Sequence, residues 1–238
     1  MASIADIWAI VPAAGTGTRM QTNLPKQYLP LLGRPVIGHT LERLCRYPRL
    51  RGIVVGLAPG DVRWRDVAVP GGEKIIGVYD GGASRAETVM NGLAALAAHA
   101  RADDWVMVHD AVRPCIRPDD LDRLVEAAFA CADGALLAVP VADTVKRADA
   151  DDRVQQTVLR AGLWRALTPQ MFPLGRLREA LARVLQDGGD VTDESAAMEA
   201  IGARPRLVEG HADNIKITRP ADLALAELFL RQQGEGAC

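Results

Sequence analysis

The chain has no excess of either charge: 28 Lys and Arg stand against 30 Asp and Glu, a net charge of -2 over 238 residues. That balance excludes a general attraction to nucleic acid or to an anionic membrane, so anions are held only where cations cluster locally. Cysteine is sparse and unpatterned. Cys45, Cys115, Cys131 and Cys238 lie far apart, with no C-x-x-C pair and no histidine at zinc-ligand spacing. They read as free thiols of a reducing cytoplasm. No apolar run reaches the roughly 18 residues of a membrane span. The N-terminus lacks the basic n-region of a signal peptide and carries Asp6 where its apolar core would lie. Internal repeats, low-complexity tracts and interdomain linkers are also missing, so the expectation is one cytoplasmic domain over residues 1–238, with 49% hydrophobic residues to fill its core.

Two familiar phosphate loops are absent as well. After Gly15 the chain never supplies the G-x-x-x-x-G-K-[ST] of a P-loop, and Gly15 and Gly17 are followed by Met20 where a dinucleotide fingerprint needs its third glycine. His39, His99 and His211 have no partner spacing for metal or triad chemistry, and His109 reads as structural.

What is present is an alternation of strand-like and helix-like segments. Near-continuous apolar runs in "DIWAIVPA", "RGIVVGLA", "KIIGVYD", "DWVMVHDA" and "GALLAVPV" are separated by segments with apolar residues at i, i+3, i+4, such as "PVIGHTLERLCRY", "SRAETVMNGLAALAAHA" and "DDLDRLVEAAFACA". Buried β-branched strands between amphipathic helices imply an α/β fold, a doubly wound and mostly parallel sheet with ligands at the carboxyl ends of its strands. The pattern breaks at Val141 to Trp164, where alternation around "ADADD" predicts a β-hairpin with Val141, Val145, Val154 and Val158 as its candidate apolar row. One such row is too thin to fold alone, so a protruding arm at about 141–161 is expected, docking on a second chain or on its own domain. Helices follow at "PLGRLREALARVLQ" and "TDESAAMEAIG", with Thr192 as the expected cap of the second, strands at "RPRLVEG" and "NIKIT", and a last helix from Pro220.

Four stretches carry candidate chemistry. Ala13, Ala14, Gly15, Thr16 and Gly17 offer small side chains that let backbone N–H groups approach a phosphate, with Arg19 and Lys26 following; alone, this is equally a glycine turn with two solvated cations. "DGGASRAETV" places Arg85 and Thr88 at a helix start, where anions are favoured, or is simply a turn capped by Ser84. "VHDAVRP" ends a buried strand with Asp110 and Arg113, and Asp110 either holds a magnesium ion or caps the next turn. Thr144, Lys146 and Arg160 lie on the arm, and Asp213 and Lys216 lie in "EGHADNIKITRP".

Together with "PKQYL", "DTVKR", "LWRALTPQ" and "TDE", these stretches resemble the 2-C-methyl-D-erythritol 4-phosphate cytidylyltransferase family, in family order across residues 10 to 230. The resemblance implies a Rossmann-like nucleotidyltransferase that transfers CMP from CTP to methylerythritol phosphate with Mg2+, as a homodimer joined through the β-arm. At 238 residues the chain is expected to lack the cyclase domain fused to this enzyme in some bacteria. Carried over, Arg19, Lys26, Arg160 and Lys216 are the expected catalytic residues. Ala13, Ala14, Gly15, Gly82, Arg85 and Thr88 line the nucleotide, Asp110, Arg113, Thr144 and Thr168 surround the acceptor, and Asp110 or Asp213 meets the metal. Ala83 and Ser84 depart from the acidic residue that many relatives place after Gly82. Two alternatives stay open: a nucleotidyltransferase for another sugar or pentitol phosphate, and a non-catalytic nucleotide-binding regulator.

Overall fold

Strand and helix alternate along the chain in a computed structural model that describes residues 5–15, 24–189 and 191–235. In order, the elements are β1 (Ile7–Pro12), the short β2 (Pro30–Leu31) and β3 (Arg34–Pro35), α1 (Val36–Arg46), β4 (Leu50–Leu57), β5 (Ile75–Asp80), α2 (Arg85–Leu96), β6 (Trp105–Val108), α3 (Pro118–Phe129) and β7 (Ala135–Pro140). There follow β8 (Val145–Ala148), β9 (Val154–Val158), β10 (Trp164–Pro173), α4 (Leu174–Gln186), α5 (Glu194–Ala200), β11 (Arg206–Glu209) and α6 (Pro220–Glu235).

Seven strands form the central sheet in the order β11-β7-β10-β6-β1-β4-β5. Every pairing is parallel except the two made by β10, with β6 and with β7. Alternate residues of β1 feed the two faces. Ala9 and Val11 pack with Ile37 and Leu41 of α1 and Leu124 of α3. Trp8 and Ile10 pack with Val89 and Leu93 of α2 and Leu177 of α4. This two-sided burial is why the strands read as continuous apolar runs. Fully buried side chains such as Ile10 each contribute about 1.5–3 kcal/mol by leaving water. A third cluster, with Leu31, Val36, Ile217 and Leu230, seats α6 against the β2–β3 hairpin.

The order places β1 between β4 and β6, so the chain leaves β1 towards one edge and later returns to its other side. Crevices open at such a reversal, outside the carboxyl ends of the strands.

The structure corrects the sequence reading at several points. "NIKIT" is not a strand: residues 214–218 carry none, and Ile217 instead donates one backbone bond to Val112 and packs in the third cluster. The ten-residue β10 was hidden, because Pro169 in its middle cannot donate to a ladder. The sheet accommodates it where the β7 register slips between Ala166 and Gln170. The cap of α5 is Asp193, whose carboxylate accepts from the Ala196 amide, and not Thr192. The β2–β3 hairpin was also missed; Leu32 and Gly33 both take positive φ, 48° and 78°, as a two-residue type I′ turn requires.

The expected hairpin forms from β8 and β9, with Val145 opposite Val158 and both half-buried. Its root is closed by a bond from Val141 N–H to the Leu163 carbonyl. Val154 and Leu159, 66% and 80% exposed, stand on its open surface. Among the described residues no helix is long and apolar enough to cross a membrane.

Candidate active site

A cleft of about 360 Å³ opens beside the end of β1. It is lined by Ala13, Ala14 and Gly15 after β1, by Lys26 and Gln27, by Gly82 to Arg85 and Thr88 after β5, by Asp110 after β6, and by Lys216.

Close backbone approach builds the first corner. A Cβ on Gly81 would stand 2.3 Å from the Ala14 Cβ, so glycine lets the loops after β1 and β5 touch, and one on Gly82 would stand 2.3 Å from the Glu87 Cβ, so glycine also lets the turn close on the start of α2. The Thr88 hydroxyl fastens the turn by accepting from Gly82 N–H and donating to the Ser84 carbonyl. Ser84 and Glu87 form a capping box at the start of α2, and the Glu87 carboxylate accepts from the amides of both Ala83 and Ser84. The Ser84 cap forms as expected, and it fixes the helix start from which Arg85 lines the cleft.

Asp110 is the centre of charge. Its carboxylate meets Lys216 at 2.9 Å and Arg85 and Arg113 at 3.3 Å each. Burial pushes its carboxyl up, but the fields of Arg85, Lys216 and Arg113 outweigh that and hold it well below the usual carboxylate range. Behind it, Arg85 makes a two-pronged pair with the buried Glu194 at 2.5 and 3.1 Å. Burial lowers the Arg85 pKa, but Glu194 and Asp110 together more than reverse this and keep the guanidinium charged. Three cations therefore face two carboxylates, leaving a local excess of positive charge beside a cleft that also carries Lys26.

The backbone of Asp110 is held by Thr168, whose hydroxyl accepts from its N–H at 3.0 Å. The same hydroxyl faces His109 Nδ1 at 3.0 Å, while His109 Nε2 faces the Arg113 carbonyl at 3.1 Å. A carbonyl can only accept, so Nε2 carries the proton and Thr168 donates to Nδ1. Burial lowers the His109 pKa to about 4, so the ring is a neutral spacer. Asn214 closes the arrangement, donating its side-chain amide to the Thr168 carbonyl and offering its own carbonyl to Arg113.

The sequence profile of the 2-C-methyl-D-erythritol 4-phosphate cytidylyltransferase family matches residues 7–232. The chain belongs to this family. Enzymes of that name from Aeromonas hydrophila and Hahella chejuensis are 52% and 49% identical to it, over 94% and 95% of this chain and 90% and 93% of theirs. A crystal structure of a 4-diphosphocytidyl-2C-methyl-D-erythritol synthase superposes with a TM-score of 0.83 at 38% identity, covering 95% of this chain and all of the other. The Francisella tularensis cytidylyltransferase gives 0.82 at 33% identity, over 94% of this chain and 100% of its own.

Against this cytidylyltransferase frame the expected residues divide. Ala13, Ala14, Gly15, Lys26, Gly82, Arg85, Thr88, Asp110 and Lys216 line one cleft. Arg113 and Thr168 do not line it; both are buried against Asp110. Thr144 and Arg160 are exposed on the arm, where Arg160 donates to the Ala142 carbonyl. Arg19 lies outside the described residues. Asp213 is engaged elsewhere, with one carboxylate oxygen bound by both Arg117 and Gln233. Asp119, Asp120 and His211 also come within reach of one another, but Arg123 already bonds both carboxylates.

Glu194, Gln27 and Asn214 are site residues that sequence reasoning missed. Glu194 sits in the "TDE" stretch in the first turn of α5, where an acid is ordinary because the helix dipole favours it. Nothing in the sequence marks it as 1% exposed and paired with a residue 109 positions away.

Proposed function

We propose that this cleft binds CTP and 2-C-methyl-D-erythritol 4-phosphate together and aligns them for attack on the α-phosphorus. The chain is a cytidylyltransferase of isoprenoid precursor biosynthesis, transferring CMP from CTP to the methylerythritol phosphate with release of pyrophosphate. The observation that carries the residue roles is the convergence, in one cleft, of a small-residue backbone wall and a cation set gathered on Asp110.

The nucleophile is an oxygen of the acceptor's phosphate monoester, whose second pKa of about 6 leaves it mostly dianionic at neutral pH. No general base is needed, in keeping with a His109 that is buried and neutral. The difficulty is electrostatic: two like charges about 4 Å apart repel by roughly 4 kcal/mol at an effective dielectric near 20. In our reading, Lys26 and Arg19 hold the triphosphate and stabilise charge growing on pyrophosphate. The backbone of Ala13, Ala14 and Gly15, with Gly82, Arg85 and Thr88, holds the nucleoside side. Lys216 faces the acceptor phosphate, its ammonium tethered by Asp110 and its side chain 38% exposed. Arg113 and Thr168 fix Asp110, and Thr144 and Arg160 serve the acceptor from the arm.

A divalent cation, Mg2+ in our reading, lowers the charge of the triphosphate when bound. Asp110 is the one carboxylate among the described lining residues and is already paired with cations. The donor set fits an ion that arrives with the nucleotide and takes most of its oxygens from phosphate and water. Asp213, held by Arg117 and Gln233, is the weaker ligand candidate.

The homodimer, the cytoplasmic location and a single domain over residues 1–238 belong to the same reading. The thin hairpin with exposed Val154, Leu159 and Leu163 favours a partner across the arm. Cys45, Cys115 and Cys131 are free thiols, which suits a reducing compartment. One seven-stranded sheet with helices on both faces favours one domain.

The deciding assay is pyrophosphate release with magnesium from each of CTP, ATP, GTP and UTP, with and without methylerythritol phosphate. Release from CTP only in the presence of that acceptor is expected. Release independent of it, or with a different base, overturns the substrate assignment.

A further inference from the structure

Lys26 begins a single 3-10 turn, Lys26–Tyr28. The turn has little internal bonding, with Tyr28 N–H donating to Pro25 and Leu29 N–H to Lys26. The two buried residues after Lys26 anchor it to different parts of the molecule. Tyr28 donates its phenol to Asp61 at 2.8 Å. Gln27, 3% exposed, donates its side-chain amide to the Ala13 carbonyl at 2.7 Å. Ala13 is itself a fixed point, because its N–H donates to the Gly56 carbonyl at 2.7 Å, continuing the line of β1 against β4. One buried amide thus joins the small-residue wall of the cleft to the turn that carries Lys26, across 14 positions of the chain.

A lysine reaches its ligand through four flexible methylenes, so the place of its backbone decides which phosphate oxygen it meets. Misplacement by about 1 Å can cost a reaction two orders of magnitude. We infer that Gln27 is a positioning residue for Lys26, acting through its bond to the Ala13 carbonyl. The inference rests on the reading of Lys26 as a triphosphate cation. An amide is the right group: a glutamate would set an oxygen against the carbonyl, and a hydrocarbon would leave a buried carbonyl without a donor.

The test is a double-mutant cycle of Gln27→Met and Lys26→Ala, read as kcat for pyrophosphate release and as KM for methylerythritol phosphate. Gln27→Met keeps the length of the side chain and removes the donor. The expected result is a loss in kcat of about tenfold or more with Lys26 present, no more than about twofold in the Lys26→Ala background, and an unchanged KM for the acceptor. If Lys26→Ala alone turns over like the native enzyme, the reading of Lys26 fails. If Lys26→Ala is impaired but Gln27→Met costs the same factor in both backgrounds, or costs nothing, the positioning role is overturned. Should Gln27→Met fail to fold, Gln27→Asn, which keeps the amide but falls one methylene short, carries the same cycle with the same outcomes.

Discussion

Arg85 grips Glu194 with both terminal nitrogens, and the nitrogen at 3.1 Å from Glu194 also reaches Asp110 at 3.3 Å. One guanidinium therefore couples α5 to the carboxylate at the end of β6, and the floor of the cleft is an electrostatic unit rather than a row of independent contacts.

Removing one member should be felt by the rest. Glu194→Gln leaves Arg85 partly desolvated with only Asp110 to answer it. We expect a loss of about 3 kcal/mol in folding stability, as for breaking a buried pair, with a weaker apparent affinity for CTP. Urea unfolding and titration calorimetry check both; unchanged stability would show that Glu194 is a bystander.

Lys26→Ala and Arg19→Ala should each lower kcat by about 100-fold or more, as loss of an electrostatic stabiliser does. Single-turnover pyrophosphate release with saturating substrates measures it. A near-native rate in either variant removes that residue from the mechanism.

Arg160→Ala should weaken methylerythritol phosphate binding while leaving CTP binding intact, by titration calorimetry. If the arm reaches across a twofold axis, mixing Lys26→Ala and Arg160→Ala chains rebuilds one native cleft in each mixed dimer, about a quarter of all clefts after random exchange. No recovery on mixing would place Arg160 at its own chain's cleft.

His109 sets a pH window for stability. Its folded pKa is lowered to about 4 by burial, whereas in the unfolded chain it titrates near 6.5. Between those values the unfolded state takes up the proton first, so stability falls as pH drops from about 6.5 to 4, by an upper figure of about 3 kcal/mol. His39, also lowered by burial, adds in the same direction. The depressed carboxyl of Asp110 contributes stability that is present above its unfolded value near 3.9 and is lost below it, outside this window. Urea unfolding at pH 7, 5.5 and 4.5 should show the decline, and His109→Asn should reduce its slope.

Much of this was legible in the residues. Runs such as "AIVPA" and "IVVGLA" announced buried parallel strands because both faces of the sheet are covered. The loops after β1, β5 and β6 stood out by their small residues and spaced cations, and the structure brings them together in one cleft. What stayed hidden depends on meetings between distant segments. Pro169 concealed β10 because the sheet answers it with a register slip, which no local pattern records. Ile215 and Ile217 alternate like a strand, yet they fill one side of the α6 cluster. Glu194 and Gln27 carry no local signature, since burial and a partner 109 or 14 positions away give each its role.

The contact of Gly81 with Ala14 bears on how such an enzyme changes over generations. Where the loops after β1 and β5 meet, the spacing is set by the Gly81 main chain against the Ala14 methyl, with the Thr88 hydroxyl and the Leu57 carbonyl close beside them. A lineage cannot retune that spacing by small steps through alanine, valine and leucine. The first added carbon at Gly81 already forces the loops apart, so any larger residue there demands a compensating shift of Ala14 and its main chain.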